Sequence, residues 1–393
     1  MNKNFLRDIA DIQTGPFGSQ LHKEDYVTDG TPIVTVEHLG NRVFTEQNLP
    51  RVSDEDKKRL SKYVLYEGDM VFSRVGSVDR CSFVDKAHDG WMFSGRCLRV
   101  RPSEKIDPLF LYYFFCMEKT KEYVRSIAVG ATMPSINTKL LGEVEIEYPD
   151  LVTQEKISSV LSDIDSRIEE NQKINENLQQ QAEAIFHEWF VANPVSGKWP
   201  MVTLDNLTSL VSRGITPKYA ADSTQIVINQ KCIRDHYIDV SLARRHKPKA
   251  INEKWLQYGD LLINSTGEGT LGRAAQVWFI PENITVDSHV TIVRPKNQLL
   301  IFYVGLWGIS HEREIEALHT GSTGQIELPR DRVKNMELLQ PDDETLTRFN
   351  SVIMPMVSAI VANQQENTRL AMIRDALLPK LMSGEIDISD VQL

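Results

Sequence analysis

The chain has 393 residues, 41% of them apolar and 25% charged, and a formal net charge of −10. That length accommodates two or three domains with their own cores, in a composition ordinary for a soluble globular protein. The acid excess argues against a polyanionic partner gripped by overall charge and leaves that role to local basic patches.

The opening residues, "MNKNFLRDIADIQTG", lack the uninterrupted apolar stretch of a signal peptide. The apolar runs at 109–117 and 299–309 are too short to span a bilayer. Four scattered cysteines form no C-x-x-C, which fits a reducing interior. A cytoplasmic location with no membrane partner is expected. The nine histidines show no H-x₃-H or H-E-x-x-H spacing, so no metal site is expected.

Residues 1–150 read as a first globular domain. Its "YEGDMVFSRVGS" (66–77) suggests a strand, a glycine-permitted turn and a returning strand. Residues 151–192 follow as a helix carrying eight acidic against three basic residues. Steps of four and three from Ile157 reach Leu161, Ile164, Ile168, Asn171, Asn175, Leu178, Ala182, Ile185 and Trp189, a heptad seam. Thr153 offers a capped start, and "NPVSG" ends the helix.

Residues 193–343 repeat the first domain. At an offset of 191, "QYGDLLINSTGE" (257–268) lies on "YEGDMVFSRVGS", matching Gly68 to Gly259, Asp69 to Asp260 and Gly76 to Gly267. The same offset carries Tyr112 onto Tyr303 and "GATMPSIN" (130–137) onto "GSTGQIEL" (321–328). A constant frame of this length identifies an internal repeat. Gly267, Gly269 and Gly272 spell G-x-G-x-x-G, but the first copy keeps one of the three glycines. "RAAQVWFI" then follows with strand character, where a dinucleotide cradle needs a helix. A hairpin with an exposed tip is expected at both places.

Residues 344–393 repeat the helix at offset 192, followed by a tail. The seam becomes Phe349, Ile353, Met356, Ile360, Asn363, Asn367, Leu370, Arg374, Leu377 and Leu381, with Pro355 predicting a kink and Pro379 an early end. Both seams hold two asparagines at the same heptad positions. Paired antiparallel, Asn171 faces Asn367 and Asn175 faces Asn363, so amides meet amides and fix register. The expected pairing residues are Ile164, Ile168, Asn171, Asn175 and Leu178 on the first helix, with Ile360, Asn363, Asn367 and Leu370 on the second. The expected fold is mixed α/β, with two homologous domains joined by two long helices in an antiparallel coiled coil.

Two related globules on such a support suit a ligand that repeats along an axis, as half-sites do on duplex DNA. Because the globules share a frame but differ at most positions, they are expected to read different sequences, with the helices setting the gap. At this point the residues match a family. The stretches "TGPFGSQL", "GDMVFSR", "GITPKY" (214–219), "GDLLINSTGEGTLGR", "AIFHEWF" and above all "LLPKLMSGEI" (377–386) resemble the specificity subunit of Type I restriction–modification systems. The resemblance extends over essentially the whole chain. It implies two target-recognition domains and assembly with two methyltransferase subunits, joined by restriction (motor) subunits when the complex cuts. It also implies a chain that is not itself an enzyme and confers specificity on an adenine-N6 methyltransferase and endonuclease. S-adenosylmethionine, ATP and Mg²⁺ are implied for those partners only, and no cofactor is expected here.

A search for catalysis agrees with that expectation. No two prolines are adjacent, so the Asn/Asp-Pro-Pro-aromatic loop that holds a flipped adenine is missing, "DPLF" (107–110) being the nearest match. Gly197-Lys198 lacks the upstream glycine of a P-loop. The alternative reading is a coiled-coil scaffold that binds proteins and has no DNA specificity.

Base readers are polar side chains on loops that reach the major groove, and phosphate contacts favour Lys and Arg. In the first domain the candidates are Gln20, His22 and Lys23 near the start, Ser73, Arg74, Ser77 and Arg80 at the hairpin, and Thr132 and Asn137 after Gly130. In the second they are Thr216 and Lys218, then Asn264, Ser265, Thr266 and Arg273 at the hairpin, and Thr323 and Gln325 in the following loop. "LARRHKPK" adds Arg244, Arg245, Lys247 and Lys249, the densest basic cluster. Phe186, Trp189, Phe190, Leu377 and Leu381 are candidates for partner docking, with packing back on a globule as the alternative.

Overall fold

The computed structural model describes residues 1–388 apart from Phe17, Ser19, Asn41, 193–197 and 322–325. The chain divides into two units, Met1–Glu169 with Thr368–Leu393, and Glu170–Asn367. Both are mixed α/β.

The first unit is built on a four-stranded antiparallel sheet in the order Ala10–Thr14, Cys97–Pro102, Met70–Ser73, Cys81–Phe83. Strand side chains alternate between faces, and here both faces are covered. Met70 and Phe72 pack with the helix Pro108–Cys116, Phe72 meeting Phe115 edge-on at 4.8 Å. Val71 and Cys97 point the other way, into a second cluster with Ile33, Val34, Met92 and Phe93. That cluster includes a parallel pair, Ile33 beside Met92 and Val34 beside Phe93.

The second unit repeats this plan. Its sheet runs Thr208–Arg213, Val290–Pro295, Leu261–Asn264, Ala274–Gln276, again antiparallel. Leu261 and Ile263 face the cluster containing the helix Ile301–Ser310. Leu262 faces Ile228, Ile284 and Ile292, beside the parallel pair Ile226–Ile228 and Ile284–Val286. The glycine-rich stretch is the turn of a hairpin, as expected, with Gly267, Gly269 and Gly272 at φ of 94°, 73° and 88°.

The repeated Gly-Asp pair has a structural role. Asp260 accepts from the Gln257 N–H at 2.8 Å and takes a bidentate pair from Arg294, 2.7 and 2.8 Å. Asp69 does the same with the Tyr66 N–H and with Arg101, at 2.7 Å for both guanidinium bonds. The carboxylate closes the turn before its strand and locks that strand to its neighbour.

The two long helices span Leu151–Phe186 and Asp343–Ser383. The first begins on Asp150, which accepts from the Thr153 N–H at 3.1 Å and the Thr153 hydroxyl at 2.8 Å. Asp342 accepts likewise from the Thr345 N–H at 2.8 Å. The cap is therefore the aspartate of each Pro-Asp pair, with Thr153 as its partner. The first helix closes in a π-helical segment, His187–Ala192. The second runs past Pro379 to Ser383, so no early end occurs. Pro355 and Pro379 both sit on its exposed face, where water can take the carbonyls left without an N–H partner.

In the second unit Asn171 donates to Asn367 Oδ1 at 2.9 Å, and Asn363 donates to Asn175 Oδ1 at 2.9 Å. These are the expected partners in the expected opposite directions. In the first unit Arg374, at a seam position, donates to Asp165 Oδ1 at 2.7 Å, and Tyr113 donates to Asp165 Oδ2 at 2.8 Å. Ile164, Ile168, Leu178 and Leu370 are half-buried, and Ile360 is fully buried. Among the described residues Asp343–Ser383 is the one helix long and apolar enough, by length and composition alone, to cross a bilayer. Reading for uninterrupted apolar runs passed over it. Its Phe349, Ile353 and Ile360 lie in the core of the second unit.

Candidate nucleic-acid interface

In each unit, backbone hydrogen bonds bring separate loops to one place. In the first, the Arg74 N–H donates to Arg96 O at 2.8 Å and the Ile136 N–H to Arg74 O at 2.9 Å. The Gly15 N–H donates to Cys97 O at 3.2 Å. In the second, the Ser265 N–H donates to His289 O at 2.8 Å, the Leu328 N–H to Ser265 O at 2.9 Å, and the Gly214 N–H to Val290 O at 3.1 Å. Four chain segments thus meet in the same pattern twice: an N-terminal glycine loop, the hairpin end, the turn before the following strand, and the segment after Gly130 or Gly321.

Gly15 and Gly214 are required by close approach. A Cβ on Gly15 would sit 2.1 Å from Ser94 O, and one on Gly214 would sit 2.0 Å from Val286 O. Backbone atoms cannot yield as a flexible side chain can, so only glycine lets these segments touch.

A second polar feature lies within residues 218–249. Lys218 O accepts from the Lys247 N–H at 2.7 Å, and the Arg244 guanidinium stacks 3.3 Å above the Tyr219 ring. Lys218, Arg244, Lys247 and Lys249 are exposed, forming a compact basic patch.

Residues 1–180 match the family model described as the Type I restriction modification DNA specificity domain. The chain is 24% identical to the Type I restriction enzyme MjaIX specificity subunit of Methanocaldococcus jannaschii, covering 98% of this chain and 93% of that one. It is 23% identical to the HindI specificity subunit of Haemophilus influenzae, covering 88% and 92%. Residues 1–180 thus match a type I restriction–modification DNA specificity domain, and over most of its length the chain is similar to specificity subunits of such systems. The S subunit of such a system from M. genitalium shares its fold, with a TM-score of 0.60 at 15% identity over 97% of this chain and 95% of that one.

The candidate readers divide sharply. Ser77, Thr132 and Thr216 are exposed. Arg74 lies at the junction, with Nη1 on Gly95 O at 3.1 Å. Thr266 also lies there, its hydroxyl 3.0 Å from Gln230 Oε1 and 2.8 Å from His289 Nδ1. Other candidates have structural duties. Ser73 is buried and donates to Val75 O at 2.8 Å. Asn264 and Ser265 are fully buried, Asn264 donating to Gln230 O at 3.1 Å and Ser265 meeting Thr291 at 2.6 Å. The strand extends further than the sequence suggested, and their side chains point inward.

Asn137 caps the helix Thr138–Gly142, accepting from the Leu140 N–H at 2.9 Å. Gln20 accepts from the Tyr63 hydroxyl at 2.6 Å, and Arg80 donates to Leu39 O. Arg245 donates to Ser223 O at 2.6 Å. His22 is exposed, with its N–H on Asp25 at 2.6 Å. Arg273 lines a cleft with Glu176, Glu183, Asp235, His236 and Glu312, an acidic setting that disfavours phosphate. In that cleft His236 lies 3.2 Å from Glu183 and 3.5 Å from Glu312. Burial lowers its pKa, but the two carboxylates outweigh burial and hold it at about 9. The side chain of Lys23, and Thr323 and Gln325, lie outside the described residues.

The docking candidates pack on their own units. Phe186, Trp189 and Phe190 join Tyr303 and Phe349, with Phe190 4.8 Å from both of the latter rings. Leu381 is buried, and Leu377 is half-buried, against the core around Phe110 and Leu111. Aromatic payload at this helix end packs on its own unit, the arrangement weighed above as the alternative to docking.

Sequence reading missed Arg101 and Arg294, the partners of the repeated aspartates. The signal was present as "VRP" at 100–102 and again at 293–295. It also missed the turns at 94–96 and 287–289, which carry no glycine signature common to both copies.

Proposed function

We propose that each unit reads one part of a bipartite, asymmetric site on duplex DNA. The long helices, paired as an antiparallel coiled coil, set the spacer and carry two methyltransferase subunits. The chain contributes specificity and no chemistry; methyl transfer, with S-adenosylmethionine, belongs to those partners, and ATP and Mg²⁺ to the restriction subunits. One observation carries this reading. The same four-segment junction, with the same backbone hydrogen bonds, occurs in both units, yet the side chains it presents differ. A constant frame with changed side chains is what two readers of different sequences require.

The test is to assemble the chain with its methyltransferase and map methylated adenines. A bipartite motif with two unlike halves is expected. Inserting one heptad into each helix keeps the seam in phase and adds about 10 Å. The spacer should then lengthen by about three base pairs at about 3.4 Å each. An unchanged spacer with both halves still recognised would refute the helices' role in setting the gap.

A further inference from the structure

The turns Ser94–Arg96 and Asp287–His289 occupy equivalent places at the two junctions. Each is held on three sides. The Ser94 N–H donates to Val34 O at 2.8 Å and the Cys97 N–H to Ser94 O at 2.9 Å, while Arg96 O receives Arg74. The Asp287 N–H donates to Ile228 O at 2.9 Å and the Val290 N–H to Asp287 O at 3.2 Å, while His289 O receives Ser265. Gly15 packs closely on the Ser94 carbonyl and Gly214 on those of Val286 and Asp287. Such a backbone does not reorganise when a ligand arrives, so a side chain projecting from it is aimed in advance.

The two projecting side chains differ in chemistry. Arg96 is exposed, and its guanidinium has no hydrogen-bond or ion-pair partner among the described residues. It presents a planar fork of donors. His289 is also exposed, but one edge is fixed. The Thr266 hydroxyl donates to Gln230 Oε1 at 3.0 Å, so its single proton is committed there. His289 Nδ1, 2.8 Å from that oxygen, must then be the donor between them. In its neutral form the ring of this exposed residue then leaves Nε2 as an acceptor. Asp287 Oδ1 accepts from the His289 N–H at 2.9 Å and steadies the residue further.

A donor fork matches the O6 and N7 acceptors of guanine. A lone acceptor matches the amino groups of adenine N6 or cytosine N4 and repels guanine O6 and thymine O4. We propose that Arg96 and His289 are specificity-determining residues: Arg96 donates a bidentate pair to a guanine in one half-site, and His289 accepts from the amino group of an adenine or cytosine in the other. This rests on the reading of the two units as DNA readers.

The test uses the full chain assembled with its methyltransferase, on a duplex library randomised at each target position and scored by methylation. Arg96→Ala should lose roughly 5- to 150-fold of the preference for guanine at one position of one half-site, leaving the other half unchanged. Arg96→Gln should move that preference toward adenine. Arg96→Lys should keep affinity without recovering the guanine preference, because it keeps the charge and loses the fork. His289→Ala should relax a single adenine or cytosine position in the opposite half-site. A uniform loss of affinity with every base preference intact would overturn the proposal, since it marks a phosphate contact. Full recovery of base preference by lysine would overturn it for Arg96. A wild-type complex that methylates without sequence preference would instead overturn the DNA-reading function itself, a result distinguishable from either.

Discussion

Asp260→Ala removes one partner of a largely buried pair. Asp260 is 0% exposed and the Arg294 side chain 11%. After the substitution the guanidinium keeps only two carbonyl acceptors, Glu253 O at 2.9 Å and Trp255 O at 2.7 Å. The Gln257 N–H loses its acceptor as well. Breaking a buried pair from one side costs about 3–5 kcal/mol, a large share of the roughly 5–15 kcal/mol that holds a domain together. The equivalent pair in the first unit gives an internal control. Arg101 is 33% exposed, so water can solvate it once Asp69 is gone, and Asp69→Ala should cost only about 1–2 kcal/mol. Amide hydrogen exchange on the intact chain reads both. Protection in Leu261–Asn264 and Val290–Pro295 should fall by the larger amount in one variant, and in Met70–Ser73 and Cys97–Pro102 by the smaller in the other. An Asp69→Ala loss equal to or above that of Asp260→Ala would refute the link between exposure and cost.

His236, held at about 9 against an ordinary 6.5, adds stability to the second unit that is fully present below about pH 6.5 and lost as pH rises through 9. The shift corresponds to about 3 kcal/mol, and partial exposure reduces this to about 1–2 kcal/mol. The urea midpoint of that unit should therefore drop between pH 6.5 and 9.5, and His236→Gln should flatten the dependence; an unchanged slope in the variant would refute it. Gly214→Ala would set a Cβ 2.0 Å from Val286 O and 2.4 Å from Asp287 O. Overpacking of this kind costs about 1–3 kcal/mol, and here it displaces the turn bearing His289. Methylation mapping should show one half-site weakened and the other intact, and two intact halves would refute the close-approach argument.

The larger organisation was legible because it rests on periodicity. A shared offset exposed the two domains, and a heptad seam exposed the helices with their asparagine contacts, which depend only on spacing along a regular element. The site was less legible, for definite reasons. Asn264 and Ser265 read as tip residues because polarity suggests a loop, yet the strand Leu261–Asn264 is covered on both faces and draws them inward. Asn137 has the composition of a base reader and the position of a helix cap. Phe186 and Phe190 suit docking and packing equally well by residue type, and only the π-helical end shows that Phe190 enters the core. Arg96 and His289 share no residue type, so no repeat search aligns them; only their common backbone hydrogen bonds do.

The first unit is assembled from both ends of the chain. Leu378, Leu381, Met382 and Ile388 complete a core whose other members lie between Leu6 and Leu161. Nearly 200 residues separate the two contributions. At about 5–20 residues per second on the ribosome, the N-terminal portion waits roughly 10–40 s for its closing piece. A nascent or truncated chain that stops before Thr368 lacks Leu378, Leu381, Met382 and Ile388, and so leaves bare the apolar side chains they cover in the first unit.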